Sequence, residues 1–210
     1  MSIRTVPISI AALRDQELQR LKRSGDVYLD YTGAAPYPAQ LVTRHARALR
    51  RKVLGNPHSE NPTARASTED VLLAKQFVLR FFHAPRDEYE VILTANATAA
   101  IRLVGESFPC RDLLLTVDNH NSVHGIRELV RSRGGTIRYL PLDDELRAIP
   151  FELSPPTRPA LFCYPAQSNF SGVRHPLQWI AAAQHAGYRV LLDAASFVST
   201  SPLSLAEHKP

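Results

Sequence analysis

The chain has 210 residues, a formal charge of +5, 44% hydrophobic residues and 21% charged residues. That balance excludes a disordered chain, and no apolar run nears the ~20 residues that cross a bilayer. Two cysteines, Cys110 and Cys163, are too few for a disulfide framework and fit a reducing compartment.

Met1–Ile10 has no h-region or cleavage site, so a cytoplasmic protein without a signal peptide is expected. Ile10 to Ser24 shows helical periodicity through Leu13, Leu18 and Leu21, and Gly25 stops it. Val27 to Asp30 reads as a short strand or extended segment. Gly33-Ala34-Ala35-Pro36 reads as a loop. Pro38 suits the first turn of a helix that runs to Leu54. Arg44, Arg47, Arg50, Arg51 and Lys52 form a basic stripe along that helix. Without aromatic residues between them they read as a solvated face, so no nucleic acid is expected. Asn56 to Pro62 is a rigid loop, and Ser67 with Asp70 resembles a capping box for a helix reaching about His83.

From there the pattern turns regular. Tyr89 to Leu93, Leu113 to Val117, Thr136 to Leu140, Ala160 to Tyr164 and Arg189 to Asp193 read as strands. Ala97 to Glu106, Ser122 to Arg133 and Pro176 to Ala186 read as helices, and Pro141 to Pro159 is a Pro-rich connection. Strands alternating with helices predict an α/β fold with a mostly parallel sheet and helices on both faces. Ligands of such sheets bind beyond the carboxyl ends of the strands.

Four segments follow strands. Thr94 to Ala100 opens a helix with small residues, which is either a phosphate cup or an ordinary Thr/Asn cap. In Asp118-Asn119-His120-Asn121-Ser122, His120 could be a base, a ligand, a stacking ring or a polar loop residue. Its spacing to His124 would suit a metal, but no third ligand is evident, and no metal is expected. Pro165 to Gly172 carries Asn169 in what could be a simple turn. Asp193 ends an apolar strand, where an unpaired carboxylate is costly, so it wants a cation. Together these are the contacts that pyridoxal 5'-phosphate (PLP) requires.

The most specific stretches are Tyr28 to Ala35, Asn56 to Ser59, Cys163 to Arg174 and Leu191 to Leu203. Through them the chain, from about Val27 to Pro210, resembles the N-terminal, desulfurase-like domain of molybdenum cofactor sulfurases, within the class V aminotransferase superfamily. The resemblance implies a PLP-dependent transferase large-domain fold, incomplete at its C-terminal side. It divides the chain into an N-terminal helical segment, 1–26, and a partial PLP domain, 27–210. It implies Ala97 and Thr98 as phosphate contacts, His120 as the ring stacked on the pyridine, and Asn169 near the ring hydroxyl. Asp193 becomes the pyridinium partner, and Ser196 stands where related desulfurases place a Gln.

The implied function is a cysteine desulfurase supplying sulfur to the molybdenum cofactor, with L-cysteine as sulfur source, no membrane partner and a homodimer as assembly. Alternatives are another class V enzyme, of the selenocysteine lyase or iron–sulfur desulfurase type, or a non-catalytic remnant. Two departures stand out. Tyr31 replaces the usual His near the entrance. The Schiff-base Lys is expected one strand and turn beyond Asp193, whereas Lys209, the one Lys after it, resembles a surface loop residue. No catalytic residue is therefore assigned, and the 210 residues alone are expected to be inactive. Neither cysteine matches the sulfur acceptor.

Overall fold

A computed structural model describes residues 9–149 and 151–210, so the leader reading of residues 1–10 falls largely outside the described residues. The chain divides into two compact units, Met1–Ala74 and Lys75–Pro210.

The first unit is helical. The Ser9 hydroxyl accepts from the Ala12 N–H at 3.1 Å and so caps α1 (Ile10–Glu17). The expected single helix to Ser24 is broken at Leu18, which leaves helical geometry, and α2 (Gln19–Ser24) ends at Gly25 with φ 72°. Val27 to Asp30 joins no ladder among the described residues. In α3 (Ala39–Arg51) the basic residues are exposed, as a solvated face requires. Helix α4 (Pro62–Phe81) starts earlier than a Ser67/Asp70 capping box implies. Its cap is Asn61, whose Oδ1 accepts from the Ala64 N–H at 2.9 Å, with Pro62 in the first turn. Ser67 lies inside the helix and donates to the Thr63 carbonyl, and Asp70 pairs with Lys52 at 2.7 Å.

The second unit holds a four-stranded, all-parallel sheet. Its strands are β1 (Asp112–Thr116), β2 (Thr136–Leu140), β3 (Ala160–Pro165) and β4 (Arg189–Asp193), in the order β2-β1-β3-β4. The two central strands are buried along nearly their whole length, with successive side chains packing on opposite faces. Leu113, Leu115, Leu161 and Cys163 pack with Val123, Ile126 and Val130 on one face. Leu114, Phe162 and Tyr164 pack with Ile180 and Ala183 on the other. Both faces are thus covered, which explains why these strands read as continuous apolar runs.

Helix α5 (Ala97–Ser107) precedes β1, and α6 (Asn121–His124) and α7 (Ile126–Ser132) connect β1 to β2. The expected single helix from Ser122 to Arg133 is thereby split at Gly125. Helix α8 (Trp179–His185) connects β3 to β4, beginning three residues after Pro176. Arg133 donates to the Gly105 and Phe108 carbonyls at 3.0 and 2.9 Å and so satisfies the C-terminal end of α5.

One predicted strand is corrected. Tyr89 to Leu93 is not part of the sheet, and Ile92 and Leu93 are exposed. A β-rich run becomes a strand only where a neighbour completes its ladder, and among the described residues none does.

Candidate functional site

The predicted site residues all lie in the second unit, at or beside the carboxyl edge of the sheet. Beyond β4, Asp193 is half-buried, and one carboxylate oxygen accepts from the Ala195 N–H at 3.0 Å. It forms no ion pair among the described residues, so the cation it wants is not supplied by them. Asp193 and Ala97 line one cavity of about 630 Å³, with Ala100, Leu192 and Ala194 among its largely apolar walls.

At the start of α5 the Asn96 side chain accepts from the Ala99 N–H at 2.9 Å. The cap reading is therefore realised, yet it leaves the Ala97 and Thr98 N–H groups without a partner among the described residues. An anion can use both of them together with the helix dipole. The cup and the cap readings are compatible.

Thr98 leads to a residue the sequence did not single out. Its hydroxyl lies 2.7 Å from the Ser122 hydroxyl, which lies 2.9 Å from His120 Nδ1. The Ser122 N–H also donates to that nitrogen at 3.2 Å. In the neutral ring the proton consequently sits on Nε2, and the ring is held from one side. His120 itself is exposed.

His120 and Asn169 line a second cavity of about 310 Å³, with Asp118, Asn119 and His124. Asn169 is exposed at the tip of a turn shaped by its neighbours. Ser168 Oγ accepts from the Phe170 and Ser171 N–H groups, and Gly172 closes the turn at φ 76°, a conformation that suits glycine. Ser196 lies in the turn after β4 and lines neither cavity. The structure therefore joins Ala97 to Asp193, joins His120 to Asn169, and links Thr98 to His120 through Ser122.

Beneath the second cavity lie polar residues that were also missed. Asn119 Nδ2 donates to the Thr116 carbonyl, the Thr116 hydroxyl and the Cys163 carbonyl at 2.9–3.0 Å, tying the end of β1 to β3. Its Oδ1 is buried and unpartnered. Asp118 Oδ2 accepts from His175 Nε2 at 2.8 Å, with both side chains 2% exposed. Burial pushes the Asp118 carboxyl up, but the hydrogen bond and charge of His175, with the neighbouring Thr116 and Ser168 hydroxyls, together outweigh it and hold it below the ordinary carboxylate value. The signal was present in the sequence: the cost of a carboxylate after an apolar strand applies to Asp118 as it does to Asp193.

Burial, then the charge of Arg127, lowers the His124 value, so this ring favours the neutral form. No group of three His, Cys, Asp or Glu is placed to hold a metal among the described residues. Burial drives the Cys163 thiol well above its ordinary value and raises Cys110, so neither is a ready nucleophile. Lys209 Nζ is paired with Glu88 at 2.6 Å. No helix of the described residues is long and apolar enough to cross a membrane.

Residues 27–209 match the aminotransferase class-V family. The molybdenum cofactor sulfurase of Chaetomium globosum is 37% identical over 94% of this chain, which spans 26% of that protein. The molybdenum cofactor sulfurase of Homo sapiens is 37% identical over 97% of this chain and 25% of its own length. The chain thus spans about a quarter of these relatives. Among solved structures, a NifS-like protein superposes with a TM-score of 0.74 at 19% identity, covering 87% of this chain and 52% of that one. A lysine-to-alanine mutant of C-DES, with glycine covalently linked to its PLP cofactor, gives 0.71 at 19% identity, covering 93% and 53%. These structures share the fold of this chain.

Proposed function

Since the chain belongs to the aminotransferase class-V family, we propose that it forms the cofactor-holding part of a PLP-dependent, cysteine desulfurase-type domain that supplies sulfur to the molybdenum cofactor. The observation that carries this reading is Asp193: a carboxylate at the end of a parallel strand, without a cation, in a cavity it shares with Ala97 at the start of α5. A protonated pyridine nitrogen satisfies that carboxylate, and a phosphate satisfies the free Ala97 and Thr98 N–H groups. In this assignment His120 stacks on the ring, and Asn169 and Ser196 serve its hydroxyl side. Bound there, PLP would withdraw electrons from a substrate amino acid, L-cysteine in this reading. The choice of sulfur chemistry and of the molybdenum cofactor rests on the kinship with sulfurases.

The residues of this chain hold and orient. Asp193 keeps the pyridine nitrogen protonated by a charge-assisted hydrogen bond. Ser122 fixes the His120 ring face. No residue is assigned the covalent role: Lys209, the one lysine after Asp193, is engaged with Glu88. Binding by these residues is accordingly non-covalent, and sulfur release by them alone is not expected.

The test is a PLP titration of the chain, followed by absorbance, with Asp193→Ala beside it. The reading requires that the chain binds PLP and that the variant binds it clearly more weakly. Equal affinities would remove Asp193 from the site. For the substrate, alanine formation from L-cysteine by a full-length protein should rise when a molybdoenzyme acceptor is present to take the sulfur. Indifference to the acceptor would favour another class V desulfurase.

A further inference from the structure

Asp118 and His175 are 57 residues apart in sequence and meet in the interior, each side chain 2% exposed. Asp118 lies two residues before His120, on the elbow that leaves β1. His175 closes the loop that leaves β3, six residues after Asn169. The main chain at His175 is pinned as well, its N–H donating to the Ala166 carbonyl at 3.0 Å. Its ring stacks on Trp179 of α8, with centroids 5.3 Å apart and 25° between planes. The ring therefore has one settled orientation, and its Nε2 is directed at the carboxylate. Next door, Asn119 makes the second tie, donating to the Cys163 carbonyl of β3 at 3.0 Å.

The elbow and the loop are the two segments that line the smaller cavity. Anything that slackens the pair lets His120 move relative to Asn169.

We propose that the Asp118–His175 pair is a positioning device: it locks the β1 elbow to the β3 loop and so sets His120 and Asn169 at a fixed separation on the two sides of the ligand they receive. This rests on the reading of the carboxyl edge as a PLP site. Neither residue touches the cofactor in this assignment. They act through the loops, as supporting side chains do when a site must be held to within a fraction of an ångström. An apolar contact could join the loops as tightly. A directional, charge-assisted bond between two ringed or forked groups also fixes their register.

The experiment uses the 210-residue chain and three variants. His175→Ala removes the bond. His175→Gln keeps an N–H donor for Asp118. Ile180→Ala truncates the neighbouring core at a position on α8, outside both loops. Two readouts are taken on each folded protein: the imidazole ¹H–¹⁵N signals of His120 without ligand, and the Kd for PLP from its absorbance. The expected result for His175→Ala is a broadened or displaced His120 signal and a Kd raised about tenfold, the size of one lost charge-assisted bond. His175→Gln should return both to near the parent values. Ile180→Ala should lose stability with neither readout changed. Should His175→Ala fail to fold, Asp118→Asn replaces it, keeping the shape and removing the charge, with the same direction expected.

The proposal is overturned if the His120 signals and the Kd ignore the loss of the pair. It is equally overturned if Ile180→Ala moves them as much as His175→Ala does, which would make the effect general loosening. If the His120 signals respond but the parent chain binds no PLP, the lock stands and the cofactor reading falls.

Discussion

The elbow after β1 and the turn after β4 stand at the same edge of one sheet, yet they are built by opposite means. After β1 the buried side chains bond inward, Asp118 to His175 and Asn119 to Thr116 and Cys163, although Asp118 Oδ1 and Asn119 Oδ1 have no partner among the described residues. After β4 the carboxylate of Asp193 receives one N–H from its own turn and otherwise faces an apolar cavity. The first region is cross-tied by its own side chains. The second has no ion pair among the described residues, which suits the affinity proposed for it. A polar group at a strand end is therefore informative only once its partner is known.

Four substitutions or conditions probe that contrast. The largest effect is expected for His175→Ala, which leaves the buried Asp118 charge uncompensated and should cost about 3–5 kcal/mol in denaturant unfolding. Asp193→Ala should leave stability within about 0.5 kcal/mol, and equal losses for the two would erase the contrast. In the opposite sense, Asp193→Ala should weaken PLP binding by roughly 10- to 100-fold, the range of a hydrogen bond to a charged group. Third, Ser122→Ala removes the hydroxyl between Thr98 and His120 and should cost about 0.5–1.5 kcal/mol, in PLP binding rather than in folding. A loss of stability alone would make Ser122 part of the fold only.

The smallest effect is expected from acid. Folding lowers the Asp118 carboxyl below its ordinary value. Its contribution is thus complete above the unfolded value of about 3.9 and is lost as pH falls through the folded value. The stability gap between the parent and Asp118→Asn should narrow below about pH 4, where acid titrations of the two would converge. A gap that widens there would mean the carboxylate is not favoured by folding.

Much of the second unit was legible because its signals are local. β2 and β4 occupy the residues that periodicity assigned, β1 is shifted by one residue at both ends, and β3 extends one residue further. Asp193 was legible as a strand-end carboxylate, and α5 as a helix opening on small residues. What failed depended on neighbours distant in sequence. Tyr89 to Leu93 has strand composition but no partner, and periodicity cannot see a partner. Ser67 with Asp70 matched a capping box while Asn61-Pro62 held the actual start, since two signals in one stretch compete and only geometry decides. Ser122 and His175 were unreadable for the same reason. Each is an ordinary polar residue until the sheet brings its partner, 24 or 57 positions away, within 3 Å.

The parallel pairing also sets a timetable. Asp112 pairs with Thr136 on one side and with Ala160 on the other, so every ladder closes a loop of dozens of residues before it gains a bond. Sheets of this kind collapse slowly, and the β1–α6–α7–β2 crossover, the shorter loop, is the natural nucleus. The Asp118–His175 bond needs the loop after β3 in place, so it belongs late in assembly. Breaking it should hasten unfolding while leaving the refolding rate near its original value, so the lock acts as a brake on coming apart.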